Sequence, residues 1–185
     1  GYSRIVISGG QESMSLAPHT IHLRDGKKLG DTELLDTMIK DGLWDAFHGY
    51  HMGITAENVA EKFQVTREEQ DKFALKSQEK AIKAQKGNKF KEEIIDFKIR
   101  SKKAEIEFIK DEHPRDNINL DTLSRLKPVF KKNGTVTAGN ASGINDGAAA
   151  VTLMSSEEAN KRGIEKLVSI KSWASCGVDP SLMGT

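Results

Sequence analysis

Apolar residues form short runs near both ends of the chain, whereas the middle mixes apolar and charged positions. Residues 5–7 precede Gly9 and Gly10 and predict a short buried strand, ending where the backbone needs a positive φ or a close approach. Residues 148–153 predict a second buried strand, and Val168 and Ile170 predict the start of another. The pattern therefore predicts one sheet whose strands are separated by a long, loop-rich insertion.

Residues with capping side chains predict where the helices begin. The predicted N-caps are Asp31, Thr55, Thr66 and Ser155. Thr66 and Ser155 are each followed three residues later by glutamate, which predicts a capping box at both places. Three glycines are placed to end helices, namely Gly42, Gly87 and Gly163.

Apolar neighbours refine two of these helices. The helix after Asp31 is expected to be short, with one apolar face formed by Leu34, Leu35, Met38 and Ile39. Ile54 and Val59 stand at the two positions of a hydrophobic staple around Thr55.

The middle of the chain also predicts two strands and a short helix. Ile95, Phe97 and Ile99 alternate with polar residues, as do Ile106 and Phe108, so we expect two strands joined by a polar turn at 100–103. Leucines at 120, 123 and 126 predict a short helix that Pro128 stops. Residues 16–29 show no useful period and predict an exposed loop.

Composition narrows the possible functions. The net charge of +1 gives no general electrostatic reason to bind nucleic acid or an anionic membrane. A single cysteine, Cys176, excludes an internal disulfide framework and a cysteine-based zinc site, and it favours a cytoplasmic location. No apolar run approaches the roughly 20 residues that a membrane span needs.

Common catalytic motifs are missing from the sequence. It contains no nucleophile elbow, no phosphate-binding loop, no dinucleotide-binding glycine motif and no paired-histidine zinc motif. His19 and His22 could ligate a metal on a helix, but they lie in a predicted loop without a third ligand. Cys176 is followed by Gly177 and precedes Asp179, a carboxylate that would raise a thiol pKa, so we interpret it as a small buried apolar side chain.

Two glycine-bounded segments are candidate binding sites. Residues 49–53 place Tyr50, His51 and Met52 between two glycines, which fits either a binding loop or an ordinary packed loop. Residues 139–143 present Asn140 and Ser142 where the glycines allow a ligand close to the backbone. The alternative is a turn that enters a strand and uses asparagine and glycine for positive φ.

Three blocks together carry a resemblance to a known family. They are residues 9–15 (GGQESMS), 50–58 (YHMGITAEN) and 134–149 (GTVTAGNASGINDGAA). In order and separation they are similar to thiolases, and the His51–Met52 pair resembles the short-chain biosynthetic branch, the acetyl-CoA acetyltransferases. The resemblance covers essentially the whole chain.

The resemblance implies an α/β fold, a partial thiolase-like layered structure in which strands of the N-terminal half flank an inserted α+β loop domain. Residues 1–14 would be a strand of that half, 15–143 the inserted domain for coenzyme A (CoA) binding and tetramerisation, 144–165 the returning strand and helix, and 166–185 the start of the C-terminal half. Residues 22–31 are similar to the family's tetramerisation loop.

The resemblance also implies a set of CoA-binding residues. Ser142 and Ala138 would lie beside the pantetheine, and Met52 and His51 at the narrow inner end. Leu43, Phe130 and Thr122 would line the groove, and Arg115 would lie against the adenine. Thr122 stands where the family often has serine, and His113 replaces a common tyrosine near the adenine.

The implied reaction is the reversible condensation of two acetyl-CoA molecules to acetoacetyl-CoA and CoA by a homotetramer. CoA thioesters would be the substrates. No covalently bound cofactor and no metal is expected, and neither nucleic acid nor a membrane is an expected partner. The family's nucleophilic cysteine would precede Gly1, and its acid-base cysteine, histidine and oxyanion-hole asparagine would follow Thr185, so the chain alone is expected to be inactive. A stand-alone, non-catalytic CoA-binding module is the alternative.

Overall fold

The computed structural model describes residues 3–100 and 105–185. Within these ranges the strands are β1 (Ile5–Ser13), β2 (His19–Thr20), β3 (Leu35–Asp36), β4 (Trp44–Asp45), β5 (Tyr50–His51), β6 (Phe97–Arg100), β7 (Glu105–Phe108) and β8 (Asp146–Met154). The α-helices are α1 (Met52–Lys62), α2 (Arg67–Lys86), α3 (Leu120–Ser124) and α4 (Ser156–Arg162). A π-helical turn spans Met38–Gly42, and 3₁₀ turns span Met14–Leu16 and Pro180–Leu182.

Contacts divide the chain into two compact units. The first contains the described residues up to Tyr50 together with Ile144–Met183, and the second contains those of His51–Gly143 with Gly184–Thr185. The domain boundaries expected at residues 14, 143 and 165 stay a prediction.

The first unit is built on an antiparallel pairing of β1 with β8, in which Ile5 lies opposite Met154 and Ser13 opposite Asp146. β1 continues through Gly9 and Gly10, neither of which has a positive φ. The close approach expected there is present at Gly9, where an added Cβ would lie 2.5 Å from the carbonyl oxygen of Ala149. The strand prediction is therefore confirmed, and its predicted end at the glycines is wrong.

Burial of these strands differs from the expectation. Successive residues of a strand point to opposite faces, yet Val6 is 47% exposed and Ile7 is 77% exposed. Val151 of β8 is 57% exposed. The prediction that these strands are buried is therefore wrong. Among the described residues, no other element covers most of either face of the β1–β8 ribbon.

Two further expectations in the first unit need correction. The helix predicted after Asp31 is replaced by β3, which pairs with β2, and by the π-helical turn that ends at Gly42 as predicted. Val168 and Ile170 lie in an irregular, exposed segment, since no strand of the described residues pairs with them. Residues 16–29 form a largely exposed loop, as expected, apart from Leu16, which ends a 3₁₀ turn, and the two residues of β2.

Helix α4 begins and ends at the predicted residues. The Ser155 hydroxyl accepts a hydrogen bond from the Glu158 backbone N–H, and Gly163 ends the helix with a φ of 65°. Nε of Arg162 donates a hydrogen bond to the Glu158 carboxylate at 2.6 Å. No hydrogen bond from the Ser155 backbone to this carboxylate is described, so only the Ser155 side-chain half of the predicted capping box is present.

In the second unit α1 starts earlier than predicted. Its N-cap is His51, whose Nδ1 accepts from the backbone N–H of Gly53 at 2.9 Å. Thr55 lies inside the helix, is 2% exposed, and its hydroxyl has no partner among the described residues. The predicted N-cap at Thr55 and the staple of Ile54 with Val59 are therefore wrong, because the imidazole of His51 provides the acceptor four residues sooner.

The remaining elements of this unit match the sequence pattern except at two ends, since Ile95 precedes β6 and α3 ends before Leu126. The capping box of Thr66 and Glu69 begins α2, and Gly87 ends it. β6 and β7 pair with Phe97 opposite Phe108 and Ile99 opposite Ile106, as their alternation predicts. Of the predicted polar turn, Arg100 closes β6, and residues 101–103 lie outside the described residues.

The interior of the second unit is small and unusually polar. Leu123 of α3 is 1% exposed and Val136 is 8% exposed. Thr137, Glu57 and Asp71, at 0%, 4% and 3% exposure, are all more deeply buried than Val136. Since buried polar groups need partners, hydrogen bonds must organise this interior as much as apolar packing does. Within residues 3–100 and 105–185, no helix has the length and apolar character to cross a bilayer.

Candidate functional site

A cleft of about 360 Å³ lies beside α3 in the second unit. We call it the α3 cleft. It is lined by Gln78 of α2, by His113, Arg115, Asn117 and Ile118 of the segment before α3, by Thr122, Leu123 and Leu126, and by Ala138, Gly139, Ala141 and Gly143. Its volume is within the range of small-molecule sites, and its lining combines apolar side chains with a few polar groups.

The 139–143 segment is a tight turn at one wall of the α3 cleft. The Thr137 carbonyl accepts from the N–H groups of Asn140 at 3.3 Å and Ala141 at 3.1 Å. None of residues 139–143 has a positive φ. Gly139 is required by a close approach instead, because an added Cβ would lie 2.5 Å from Cδ2 of Leu123 and 2.6 Å from Cδ1 of Leu126.

Asn140 faces the protein interior rather than a ligand. Its Oδ1 accepts from the Thr137 backbone N–H at 2.8 Å, and its Nδ2 donates to the Thr135 carbonyl at 3.0 Å and to Asp71 at 3.1 Å. The idea that Asn140 presents its amide to a ligand is therefore wrong. Ser142 is exposed, and its hydroxyl donates to the Gly143 carbonyl at 3.2 Å.

Arg115 and His113 occupy the segment that enters the α3 cleft before α3. The backbone N–H of Arg115 donates to Oε1 of Gln78 at 2.9 Å, which ties this segment to α2. The backbone N–H of His113 donates to Oδ1 of Asp111 at 3.0 Å. The Arg115 side chain is exposed, so its guanidinium is free to lie over a flat ligand group.

Thr122 has a structural role that the sequence did not reveal. Its hydroxyl donates to the Asn119 carbonyl at 2.8 Å and accepts from the Asn119 backbone N–H at 3.1 Å. With the Asn119 amide accepting from the Thr122 N–H, these contacts form the capping box of α3. Serine or threonine at this position can make the same contacts.

His51, Met52 and Phe130 form a second group in the same unit and do not line the α3 cleft. The rings of His51 and Phe130 stack with centroids 4.6 Å apart and an interplanar angle of 19°. Gly53 permits this arrangement, because an added Cβ would lie 2.2 Å from the Phe130 ring. Leu43 belongs to the first unit, where it is half-buried at the end of the π-helical turn.

The structure brings together only some of the expected CoA-binding residues. The structure joins Arg115, Thr122 and Ala138 in one cleft, with Ser142 between two of its lining residues. Sequence reasoning missed Gln78, and it also missed the buried acids Glu57 and Asp71 behind the turn. The fixed start of α2 could have indicated Asp71, which lies one turn from Arg67 on the same face.

The other candidate residues lie in the first unit. Nε2 of His19, in β2, lies 4.0 Å from Oδ2 of Asp36. Nδ1 of His48 lies 2.7 Å from Oδ2 of Asp45, and the His48 ring stacks on that of Tyr50. Burial acts to raise the Asp45 pKa, but hydrogen bonds from His48 and from backbone N–H groups outweigh it and hold that pKa below its usual value.

The described residues contain neither a metal-binding cluster nor a buried thiol. Among the residues that the structure describes, no three His, Cys, Asp or Glu side chains are grouped to hold a metal ion. Cys176 is exposed, so the expectation of a buried thiol is wrong. It lies in an irregular segment with no packed element over it among the described residues.

Comparison with known proteins identifies the family. Residues 1–157 match the model of the thiolase N-terminal domain. The chain is 58% identical over its full length to the acetyl-CoA acetyltransferase of Rhizobium meliloti, of which it covers 47%, and 53% identical to the cytosolic acetyl-CoA acetyltransferase of Rattus norvegicus, again over 47% of that protein.

Solved structures agree. The crystal structure of the Bacillus anthracis acetyl-CoA acetyltransferase superposes with a TM-score of 0.89 at 44% identity, covering 98% of this chain and 46% of that one. The chain spans about half the length of the curated relatives it matches. The expected partial thiolase-like α/β fold is confirmed. This chain belongs to the thiolase family.

Proposed function

We propose that this chain provides the CoA-binding groove of an acetyl-CoA C-acetyltransferase, which condenses two acetyl-CoA molecules to acetoacetyl-CoA and CoA and also runs in reverse. The α3 cleft carries the proposal, because it joins Arg115, Thr122 and Ala138, which the family resemblance assigns to CoA. Names of relatives at 53–58% identity support the same activity. CoA thioesters are the substrates, with no separate cofactor.

Each proposed contact suits one part of CoA. The exposed guanidinium of Arg115 stacks on the adenine, beside His113. Ala138 and Ser142 flank the pantetheine, where a small side chain leaves room for an extended chain. The stacked pair of His51 and Phe130, with the neighbouring Met52, serves the thioester end of CoA.

The chemical contribution of these residues is positioning. In a thiolase reaction an acetyl group moves to a cysteine and then condenses with a second acetyl-CoA, which requires a base and an oxyanion hole. Holding the thioester in place lowers the entropic barrier to that encounter. The resemblance assigns bond making to other side chains, which do not line the α3 cleft.

Calorimetric titration with CoA tests the proposal. Arg115→Ala should weaken binding by about 10-fold, since it removes a stacking and cationic partner. Ser142→Trp should abolish binding by filling the space for pantetheine. Arg125→Ala is the matched control, because Arg125 pairs with Asp121 on α3 and does not line the cleft. Equal affinity for all three variants would rule out the assigned site.

An activity assay separates the enzyme from the alternative. Purified protein that binds CoA but never cleaves acetoacetyl-CoA with CoA, even when the remaining half of a thiolase is supplied, would favour a non-catalytic binding module. Recovery of thiolysis in that mixture would support the acetyltransferase.

We further propose a cytoplasmic homotetramer held together through residues 22–31. This segment is exposed, irregular and charged, and a relative is named as cytosolic. Light scattering of the intact thiolase, before and after replacement of residues 22–31 by a glycine-serine linker, would test the assembly. A tetramer that survives the replacement would contradict this role.

A further inference from the structure

Arg67 and Asp71 form an ion pair on α2, behind the α3 cleft and outside its lining. Nε of Arg67 donates to Oδ2 of Asp71 at 2.8 Å. Their side chains are 23% and 5% exposed, so water screens the pair only in part. Neither residue was among the expected CoA-binding residues.

The other side of the Arg67 guanidinium holds the end of α3. Nη2 donates to the Leu123 carbonyl at 2.6 Å and to the Leu126 carbonyl at 3.1 Å. Both leucines line the α3 cleft. A planar guanidinium can make these bonds together with the Asp71 bond, since its donors have a fixed geometry.

The second oxygen of Asp71 holds the opposite wall. Oδ1 accepts from Nδ2 of Asn140 at 3.1 Å, and Asn140 fixes the turn through Thr135 and Thr137. Ala138, Gly139, Ala141 and Gly143 of this turn line the α3 cleft. One carboxylate therefore connects both walls.

We infer that Arg67 and Asp71 are positioning residues that set the separation of the two walls of the α3 cleft and thereby its affinity for CoA. The inference rests on the proposed function. A cleft held open in advance binds more tightly, because its segments need not be ordered when the ligand arrives.

Glu57 provides an internal comparison. It is another buried acid of the same unit, 4% exposed, and accepts from the backbone N–H groups of Thr135 and Val136. Neither Glu57 nor these two residues lines the cleft. Glu57 reaches the cleft wall only indirectly, through Thr135, whose carbonyl accepts from Asn140. A change at Glu57 should therefore lower stability with less effect on the cleft than a change at Arg67 or Asp71, whose bonds reach both walls.

The test is calorimetric titration with CoA of the 185-residue chain, at a temperature where circular dichroism shows each variant folded. Arg67→Met and Asp71→Asn should weaken CoA binding by on the order of 10-fold. Arg67→Lys should give an intermediate loss, because an ammonium reaches Asp71 but lacks the planar fork. Glu57→Gln should lower the unfolding midpoint and weaken CoA binding less than Asp71→Asn does.

The outcomes are distinguishable. Wild-type chain that does not bind CoA overturns the proposed function and the inference with it. Wild-type binding with undiminished affinity in folded Arg67→Met and Asp71→Asn overturns the inference alone. Loss of affinity in Glu57→Gln equal to that in Asp71→Asn also overturns it, since general destabilisation would then be the cause. If Arg67→Met does not fold, the affinity of Arg67→Lys decides.

Discussion

The carboxylate of Glu57 on α1 accepts a hydrogen bond from the backbone N–H of Thr135, with Oε1 2.8 Å from the nitrogen. The same carboxylate accepts from the Thr135 hydroxyl and from the Val136 N–H. Gly134 makes room for it, because a Cβ there would lie 2.3 Å from Oε1. Three donors, two on the half-buried Thr135 and one on the buried Val136, are thus satisfied by one side chain.

Glu57→Gln should lower the free energy of unfolding by about 1–3 kcal/mol, because an amide replaces one acceptor oxygen by a donor that faces other donors. Denaturant unfolding followed by circular dichroism measures the change. Ala56→Gln, at the exposed neighbouring position on α1, is the control and should be close to neutral. Equal stability of both variants would contradict the role of Glu57.

Gly53→Ala should also destabilise the second unit. The new methyl group would lie 2.2 Å from the Phe130 ring and must displace it from the His51 stack. Overpacking costs about 1–3 kcal/mol, which exceeds the gain in helix propensity within a first turn. Thermal unfolding measures the loss, and Gly42→Ala, with open space around the added Cβ, should not lower the midpoint.

The Thr122 hydroxyl should matter for α3 before it matters for any ligand. Thr122→Val removes both bonds to Asn119 and should cost about 1 kcal/mol of stability, whereas Thr122→Ser should keep it. Parallel CoA titrations should show weaker binding for the valine variant only. A serine variant as unstable as the valine variant would show that the methyl group, and not the capping box, is responsible.

The start of α2 should be sensitive to acid. Hydrogen bonds from the Thr66 backbone N–H and hydroxyl hold the Glu69 pKa below its usual value. A lowered folded-state pKa means that this stabilisation is present above the usual glutamate pKa and is lost as pH falls through the lowered value. The protection factors of the amides in the first turn of α2, which correct exchange rates for their intrinsic pH dependence, should therefore fall at acidic pH.

Glu69→Gln should remove that pH dependence and leave a protection factor that is lower and does not vary with pH. Glu79→Gln, farther along the same helix, is the control and should behave as wild type does in the first turn. Persistence of the acid response in Glu69→Gln would assign it to another group.

Local signals predicted the elements that depend on neighbours in sequence. The capping box at Thr66 begins α2, and the alternation around Phe97 and Ile106 gives the β6–β7 pairing, because both depend on contacts within a few residues. The predicted start of α1 at Thr55 is wrong, because the usual capping preferences include threonine and not histidine, whereas the His51 imidazole caps this helix by accepting from the Gly53 N–H.

The candidate site was only half visible in the sequence. Glycines at 139 and 143 indicated a close backbone approach, and the structure shows what approaches Gly139, namely Leu123 and Leu126. Asn140 looked like a ligand contact because no local pattern reveals that Asp71, 69 residues earlier, receives its amide. Hydrogen bonds between residues so far apart in sequence depend on tertiary packing, and they produce no periodic pattern of apolar and polar residues.

The bond between Glu57 and Thr135 spans 78 residues, and this separation bears on synthesis in the cell. At roughly 5–20 residues per second, α1 emerges from the ribosome about 4–16 s before the backbone that receives its carboxylate. During that interval Glu57 stays hydrated and α1 lacks its final environment. The second unit can complete its interior only after residue 137 has left the exit tunnel, so α1 cannot reach its native packing while it is the only part of this unit outside the ribosome.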